Sequence, residues 1–177
     1  MLLPALASVA SVRLGTVAIR WLRPAAMRRL ERLVLAALAG LTIVGAASLV
    51  LALYDSADPN HGAAAAWTRE VDDELVTTPL VLAELDQALA ALAPSARAVL
   101  YDDFERGALV LRWWADALTE SIEITRANPG TGLADASLVA LAARLRTDAI
   151  ATFDHESFRS LTSAAGGLFR LLPADAT

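Results

Sequence analysis

The stretch ELVTTPLVLAEL, residues 74–85, decides the fold class of this 177-residue chain. Residues 74–78 form a short segment that is rich in β-branched side chains, which favours a strand. Pro79 follows, and proline is favoured in the first turn of a helix, so a helix is predicted over residues 79–91. A strand that passes directly into an apolar helix is the first half of a β–α–β unit.

The same alternation continues on both sides of this stretch. Upstream, LTIVGA (residues 41–46) has the continuous apolar character of a buried parallel strand, and residues 49–53 continue into a helix. Downstream, strands are predicted at 108–113, 149–152 and 168–172, and helices at 59–70, 94–106 (in one or two pieces), 116–127 and 133–145. The pattern predicts an α/β fold with three layers, α/β/α, around a central, mainly parallel sheet.

The N-terminal part of the chain permits a second interpretation. Residues 33–53 form a run of 21 residues without a charge, preceded by arginines within residues 20–32, as in a membrane-spanning helix. The run also divides into a helix-like part ending at Gly40 and the predicted strand, and the regular pattern downstream favours this division. We therefore expect an N-terminal extension of unknown role, residues 1–40, and one domain, residues 41–177, with membrane association disfavoured.

Composition excludes several classes of site. The chain has no cysteine, which rules out disulfides and thiolate chemistry, and only two histidines, neither in a zinc motif. Any metal site must therefore consist mainly of oxygen ligands, which favours Mg²⁺ or Mn²⁺.

Charge is unevenly distributed along the chain. Residues 1–40 carry six arginines and one acid, a net charge of +5, whereas residues 41–177 carry nine arginines and nineteen acids, a net charge of −10. An acidic domain is a poor electrostatic match for nucleic acid. A nucleic-acid enzyme of this charge would need metal ions or a basic partner to hold phosphates.

Three acids fall where a parallel sheet places its ligands, beyond the carboxyl ends of the strands. Asp154 follows the strand predicted at 149–152, Glu84 lies in the helix after residues 74–78, and Asp135 lies at the start of the helix 133–145. Carboxylates on otherwise apolar faces are costly unless they are paired or bind a metal ion, so the spacing suggests a magnesium site. Simpler alternatives stay open: Asp135 as a helix cap, Asp154 as a turn residue and Glu84 as an exposed helix position.

An ordered set of motifs resembles the VapC-type branch of the PIN domain family. The motifs are TPLVLAEL (78–85), GLADASLVALAARL (132–145), ATFDHESF (151–158) and FRLLP (169–173), and IVGAASLVLALYDSADPNH (43–61) resembles the opening signature. Together they cover nearly all of residues 41–173.

The resemblance implies a PIN-like fold and a site in which Glu84, Asp135 and Asp154 are both the catalytic residues and the ligands of Mg²⁺ or Mn²⁺. It further implies a cytoplasmic endoribonuclease that hydrolyses RNA phosphodiester bonds, acts as the toxin of a toxin–antitoxin pair, binds a cognate antitoxin and forms a homodimer. A non-catalytic binding or regulatory protein that keeps the antitoxin-binding surface is the alternative.

The sequence departs from the family pattern at three positions. The family has an aspartate directly after the first strand, where this chain reads Val44-Gly45-Ala46, and we assign the lost aspartate to Gly45. Asn128 stands where a second acid often precedes the GLADA motif, and Ser157 where a histidine is common.

Other polar residues have two interpretations. Arg144, Arg146 and Arg159 would lie near the cleft and contact phosphates, or else be solvated helix ends. His155 adjoins the expected site and could touch substrate, or else is a polar surface position.

Overall fold

The computed structural model describes residues 42–176. Its strands are β1 (Thr42–Gly45), β2 (Glu74–Thr77), β3 (Val110–Leu111), β4 (Ala149–Ala151) and β5 (Arg170–Leu172). Its helices are α1 (Ala47–Tyr54), α2 (His61–Glu70), α3 (Pro79–Leu92), α4 (Pro94–Arg106), α5 (Ala117–Ala127), α6 (Leu133–Leu145) and α7 (His155–Arg159).

The strands form one five-stranded sheet in the order β3-β2-β1-β4-β5, and every neighbouring pair is parallel. Strand β1 is the central strand, and its Val44 lies beside Val76 of β2 on one side and Ile150 of β4 on the other. Strands β1 and β4 are buried along their whole length because helices cover the sheet. The predicted fold class, a parallel sheet flanked by helices, is confirmed.

Helix α6 contributes most to the core. Nine of its 13 residues are buried, and they include five apolar residues in succession, from Leu138 to Ala142. Small alanine side chains allow the helix to approach both α5 and β1, which it contacts. The helix begins at the carboxyl ends of the strands and places Asp135 in its first turn.

Most predicted elements agree with the structure, and the differences are local. The strand predicted at 108–113 is reduced to Val110–Leu111, and residues 94–106 form one helix. The short helix α7 was not predicted, because it depends on a cap by Asp154 rather than on an apolar period. The helix predicted before Gly40 and the extension 1–40 lie outside the described residues.

The apolar run 33–53 lies only partly within the described residues. Its described part, residues 42–53, is divided between strand β1 and helix α1. Within residues 42–176, no helix combines the length and the apolar character that a membrane span requires.

Candidate metal centre

The three predicted acids approach one another at the carboxyl edge of the sheet. Strand β2 ends at Thr77, Thr78 caps helix α3, and Glu84 lies in the second turn of that helix. Asp135 lies in the first turn of α6, and Asp154 follows β4 and begins α7. Asp135 is the most buried of the three side chains, whereas Glu84 and Asp154 are exposed.

The electrostatics of Asp135 show that these side chains influence one another. Burial, followed by the negative charges of Glu84 and Asp154, raises the pKa of Asp135 to about 6. Partial burial also raises the pKa of Glu84. Desolvation and neighbouring carboxylates both disfavour the ionised form, and a bound cation would relieve both effects.

No arginine offsets this negative charge in the part of the chain that the structure describes. The ion pairs found within residues 42–176 all lie elsewhere, and none involves Glu84, Asp135 or Asp154. Among the described residues, the three carboxylates therefore have no cationic partner, and we call them the acidic cleft.

The structure favours the second interpretation of the three arginines, as residues at helix ends. Arg144 is near the C-terminal end of α6 and stacks over Trp114, with 5.0 Å between its guanidinium carbon and the ring centre. Nine residues separate it from Asp135, about 14 Å along a helix. Arg146 lies just beyond that end, and Arg159 is paired with Asp175 at 2.6 Å.

The donor set fits a hard divalent cation, although the side chains do not yet converge on one point. Within residues 42–176, no three acidic or histidine side chains lie close enough together to hold an ion on their own. Mg²⁺ commonly retains several waters and is held by one or two carboxylates. Two oxygen ligands from the acidic cleft, completed by water, satisfy that requirement.

The structure also tests the alternative interpretations of the three acids as a helix cap, a turn residue and an exposed helix position. Asp154 does cap α7: its carboxylate accepts the Ser157 N–H at 3.1 Å and the Ser157 hydroxyl at 2.7 Å. Helix α6 has no side-chain cap hydrogen bond, so Asp135 does not serve as its cap. Glu84 is exposed, which agrees with its alternative interpretation as an exposed helix position.

Sequence reasoning missed the residue that orients Asp154. The Ser48 hydroxyl oxygen accepts the backbone N–H groups of Phe153 at 3.0 Å and Asp154 at 3.2 Å. It also lies 2.9 Å from the hydroxyl of Thr152, a fully buried side chain. Ser48 therefore ties the first turn of α1 to the segment that carries Asp154. Its place just after the opening strand was the only sequence signal.

The assignment of the lost aspartate to Gly45 requires correction. Gly45 is the last residue of β1, and a Cβ atom there would lie 3.1 Å from the Leu75 side chain. Leu75 lines a hollow beside α1 and α2, together with Leu53 and Trp67. A side chain at Gly45 would therefore point to the face of the sheet that these apolar residues cover.

Ala46 is the first residue after the strand and points to the other face. Its backbone is extended, with φ −83° and ψ 161°, so its side chain alternates with that of Gly45. By the same alternation in β2, Thr78 points away from the Leu75 face, and its hydroxyl meets Ser137 of α6. Ala46 thus faces the side of the sheet that carries α6, and it is 2% exposed.

The remaining departures from the family pattern have structural roles. Asn128 ends α5, and its side-chain amide donates to the carbonyl of Ile124 at 2.9 Å. Ser157 completes the cap on Asp154. The Nε2 atom of His155 is buried and has no hydrogen-bond partner within the described residues.

A comparison with protein families matches residues 47–163 to the PIN domain. The chain belongs to the PIN domain family. Its resemblance to VapC-type members is confirmed by Ribonuclease VapC26 of Mycobacterium tuberculosis, which is 33% identical over 135 residues, 71% of this chain and 96% of that protein.

A solved structure supports the fold independently. The crystal structure of Mycobacterium tuberculosis VapC20, described as a sarcin-ricin loop cleaving toxin, superposes with a TM-score of 0.59 at 20% identity. The match covers 65% of this chain and 92% of that one. The predicted PIN-like fold is confirmed, whereas the roles of Glu84, Asp135 and Asp154 stay predictions.

Proposed function

We propose that this protein is a metal-dependent endoribonuclease that hydrolyses RNA phosphodiester bonds as the toxin of a toxin–antitoxin pair. The observation that carries the proposal is the acidic cleft, in which Asp135 is destabilised as an anion by burial and by two neighbouring carboxylates. The name of the similar VapC26 protein supports the reaction class.

Glu84, Asp135 and Asp154 would hold Mg²⁺ or Mn²⁺ at the carboxyl edge of the sheet. Such an ion lowers the pKa of a bound water and offsets charge that grows on the phosphate. Asp135 must be ionised to bind it, so protons compete with the metal ion at acidic pH, and activity is expected to fall as the pH is lowered. Ser48 and Ser157 keep Asp154 in a fixed orientation at the rim.

The partners follow from the charge of the domain and from the family. The acidic domain gives little electrostatic attraction for RNA, so the bound cation must supply part of the attraction for a phosphate. We further propose a cognate antitoxin and a homodimer as the resting assembly. A cytoplasmic location follows from the proposed RNA substrate and antitoxin.

A second candidate function is favoured by Ala46. The position directly after β1 carries a methyl group instead of the family's carboxylate, so the cleft has one acidic ligand fewer. A site with three carboxylates binds a hard cation more weakly, and catalysis is weakened with it. The second candidate is therefore a PIN-fold protein that binds its antitoxin but turns over RNA slowly or not at all.

The test compares RNA cleavage by the native chain with cleavage by Asp135→Asn and Glu84→Gln, each with Mn²⁺, Mg²⁺ or EDTA. Cleavage that requires the metal and is lost in both variants supports the ribonuclease. Retention of cleavage in Asp135→Asn would refute the proposed site. Absence of cleavage by a native chain that still binds Mn²⁺ supports the second candidate.

A further inference from the structure

Two buried hydroxyl groups connect the helices that carry Glu84 and Asp135. The hydroxyl oxygens of Thr78 and Ser137 lie 2.7 Å apart, although 59 positions separate the residues in sequence. Both side chains are fully buried. Thr78 immediately precedes α3, and Ser137 lies in α6, two residues after Asp135.

The surrounding hydrogen bonds fix the direction of this contact. The Ser137 hydroxyl donates to the carbonyl of Ala134 at 2.6 Å, which uses its only proton. Ser137 must therefore accept from the Thr78 hydroxyl, whose oxygen is also the acceptor for the Val81 N–H at 3.4 Å. The series begins at the first turn of α3 and ends on the carbonyl of the peptide bond that joins Ala134 to Asp135.

Within this series, the bond from Thr78 to Ser137 is the one side-chain hydrogen bond found between α3, with its cap residue, and α6 in the described part of the chain. The two helices also pack against each other. A buried hydroxyl without a partner is costly, so the series holds the N-terminal ends of both helices at one separation. That separation determines how far Glu84 lies from Asp135.

We propose that Thr78 and Ser137 are positioning residues for the acidic cleft, which act by fixing the distance between the Glu84 and Asp135 carboxylates. The inference rests on the proposed function, because this distance matters for metal binding only if both carboxylates hold one divalent cation. Removal of groups that orient metal ligands without contacting the metal typically lowers metal affinity by about 10- to 100-fold.

The experiment measures Mn²⁺ affinity by titration calorimetry and by the electron paramagnetic resonance signal of free Mn²⁺. Ser137→Ala removes the acceptor and leaves the Thr78 cap on α3, whereas Thr78→Val removes the donor. Thr78→Ser keeps the hydroxyl. Ser121→Ala is the matched control, because Ser121 is also fully buried and donates to a carbonyl of its own helix, Ala117, at 2.7 Å, but it lies in α5.

We expect the dissociation constant for Mn²⁺ to rise about tenfold in Ser137→Ala and in Thr78→Val. Thr78→Ser should restore native affinity, and Ser121→Ala should retain it even where its melting temperature falls as far as that of Ser137→Ala. Equal Mn²⁺ affinity in folded Ser137→Ala and in the native chain would overturn the positioning role alone. A native chain that binds no Mn²⁺ would overturn this inference together with the metal dependence of the proposed function.

Discussion

A Cβ atom on Gly45 would lie 3.1 Å from the Leu75 side chain, on the face of the sheet opposite to that of Ala46 and Thr78. The two adjacent positions after the centre of β1 are therefore not equivalent. A carboxylate at Gly45 would be buried against leucine, whereas a carboxylate at Ala46 would extend towards the side that carries α6. Mn²⁺ affinity can therefore tell which of the two positions corresponds to the lost ligand: an aspartate at Ala46 should raise the affinity, and an aspartate at Gly45 should not.

Ala46→Asp should create a tighter metal site. The added carboxylate increases the negative charge of the acidic cleft, so we expect the metal-free protein to lose stability and Mn²⁺ affinity to rise by at least about tenfold, the size of one additional ligand interaction. Calorimetric titration and thermal unfolding with and without Mn²⁺ measure both effects. An unchanged affinity in a folded Ala46→Asp variant would contradict the placement of Ala46.

Gly45→Asp is the matched comparison for that variant. It introduces the same charge one residue earlier, against Leu75, and an unpaired buried charge should lower the free energy of unfolding by at least about 2 kcal/mol without tightening Mn²⁺ binding. Gly45→Ala separates the packing effect from the charge effect. If Gly45→Asp bound Mn²⁺ more tightly than Ala46→Asp, the original assignment to Gly45 would stand.

The metal-free protein should lose stability as the pH rises from about 4 to about 6. Asp135 has a folded-state pKa near 6, above its ordinary value of 3.8, so the unfolded chain releases this proton first. The penalty is absent below the unfolded pKa and complete above the folded pKa. Because the group is only partly buried, solvent screening reduces it to roughly 1–2 kcal/mol.

Asp135→Asn is the test of that pH dependence. The variant should unfold at higher urea concentration than the native chain at pH 7 in EDTA and at a similar concentration at pH 4, because asparagine carries no charge. It should also bind Mn²⁺ poorly at every pH. A native chain that gains stability relative to Asp135→Asn between pH 4 and pH 6 would show that the pKa of Asp135 is not raised.

Ser48→Ala should weaken the site through Asp154. The variant leaves the Phe153 N–H without its acceptor, whereas the Asp154 N–H keeps the Thr152 hydroxyl at 3.0 Å. We expect a loss of about 1–3 kcal/mol in the free energy of unfolding. Mn²⁺ affinity should fall about tenfold. Ser160→Ala, an exposed serine at the end of α7, is the control and should change neither quantity. Native Mn²⁺ affinity in Ser48→Ala would limit Ser48 to a structural role.

The fold could be predicted from the sequence because its signals are local. The sequence ELVTTPLVLAEL shows a β-branched strand followed by proline at a helix start, and the structure has both elements within one residue of their predicted bounds. Helix α6 was predicted with its observed bounds because its apolar run ends at Leu145 and begins after Gly132. Helix α7 was missed because a five-residue helix has no measurable period.

The site could be predicted only in part, because its remaining features depend on contacts across the chain. The carboxyl-edge rule located Glu84, Asp135 and Asp154, since it needs only the order of strands and helices. Ser48 could not be assigned to Asp154, because 106 positions separate them. The Gly45 assignment failed because a shift of one residue reverses the face to which a strand residue points.

The arginines at the C-terminal end of α6 should not contribute to RNA binding. Arg144 lies about 14 Å along α6 from Asp135 and stacks over Trp114. Arg144→Ala should lower the free energy of unfolding by about 0.5–1 kcal/mol through the lost cation–π contact. Arg146→Ala should have little effect on folding or on RNA affinity, since Arg146 lies beyond the same end of the helix. Filter binding of single-stranded RNA in Ca²⁺, over a series of salt concentrations, measures the affinity and the number of phosphate contacts. A decrease in the salt dependence in either variant would place that arginine on the RNA path and would extend the substrate surface from the acidic cleft along α6 to its far end.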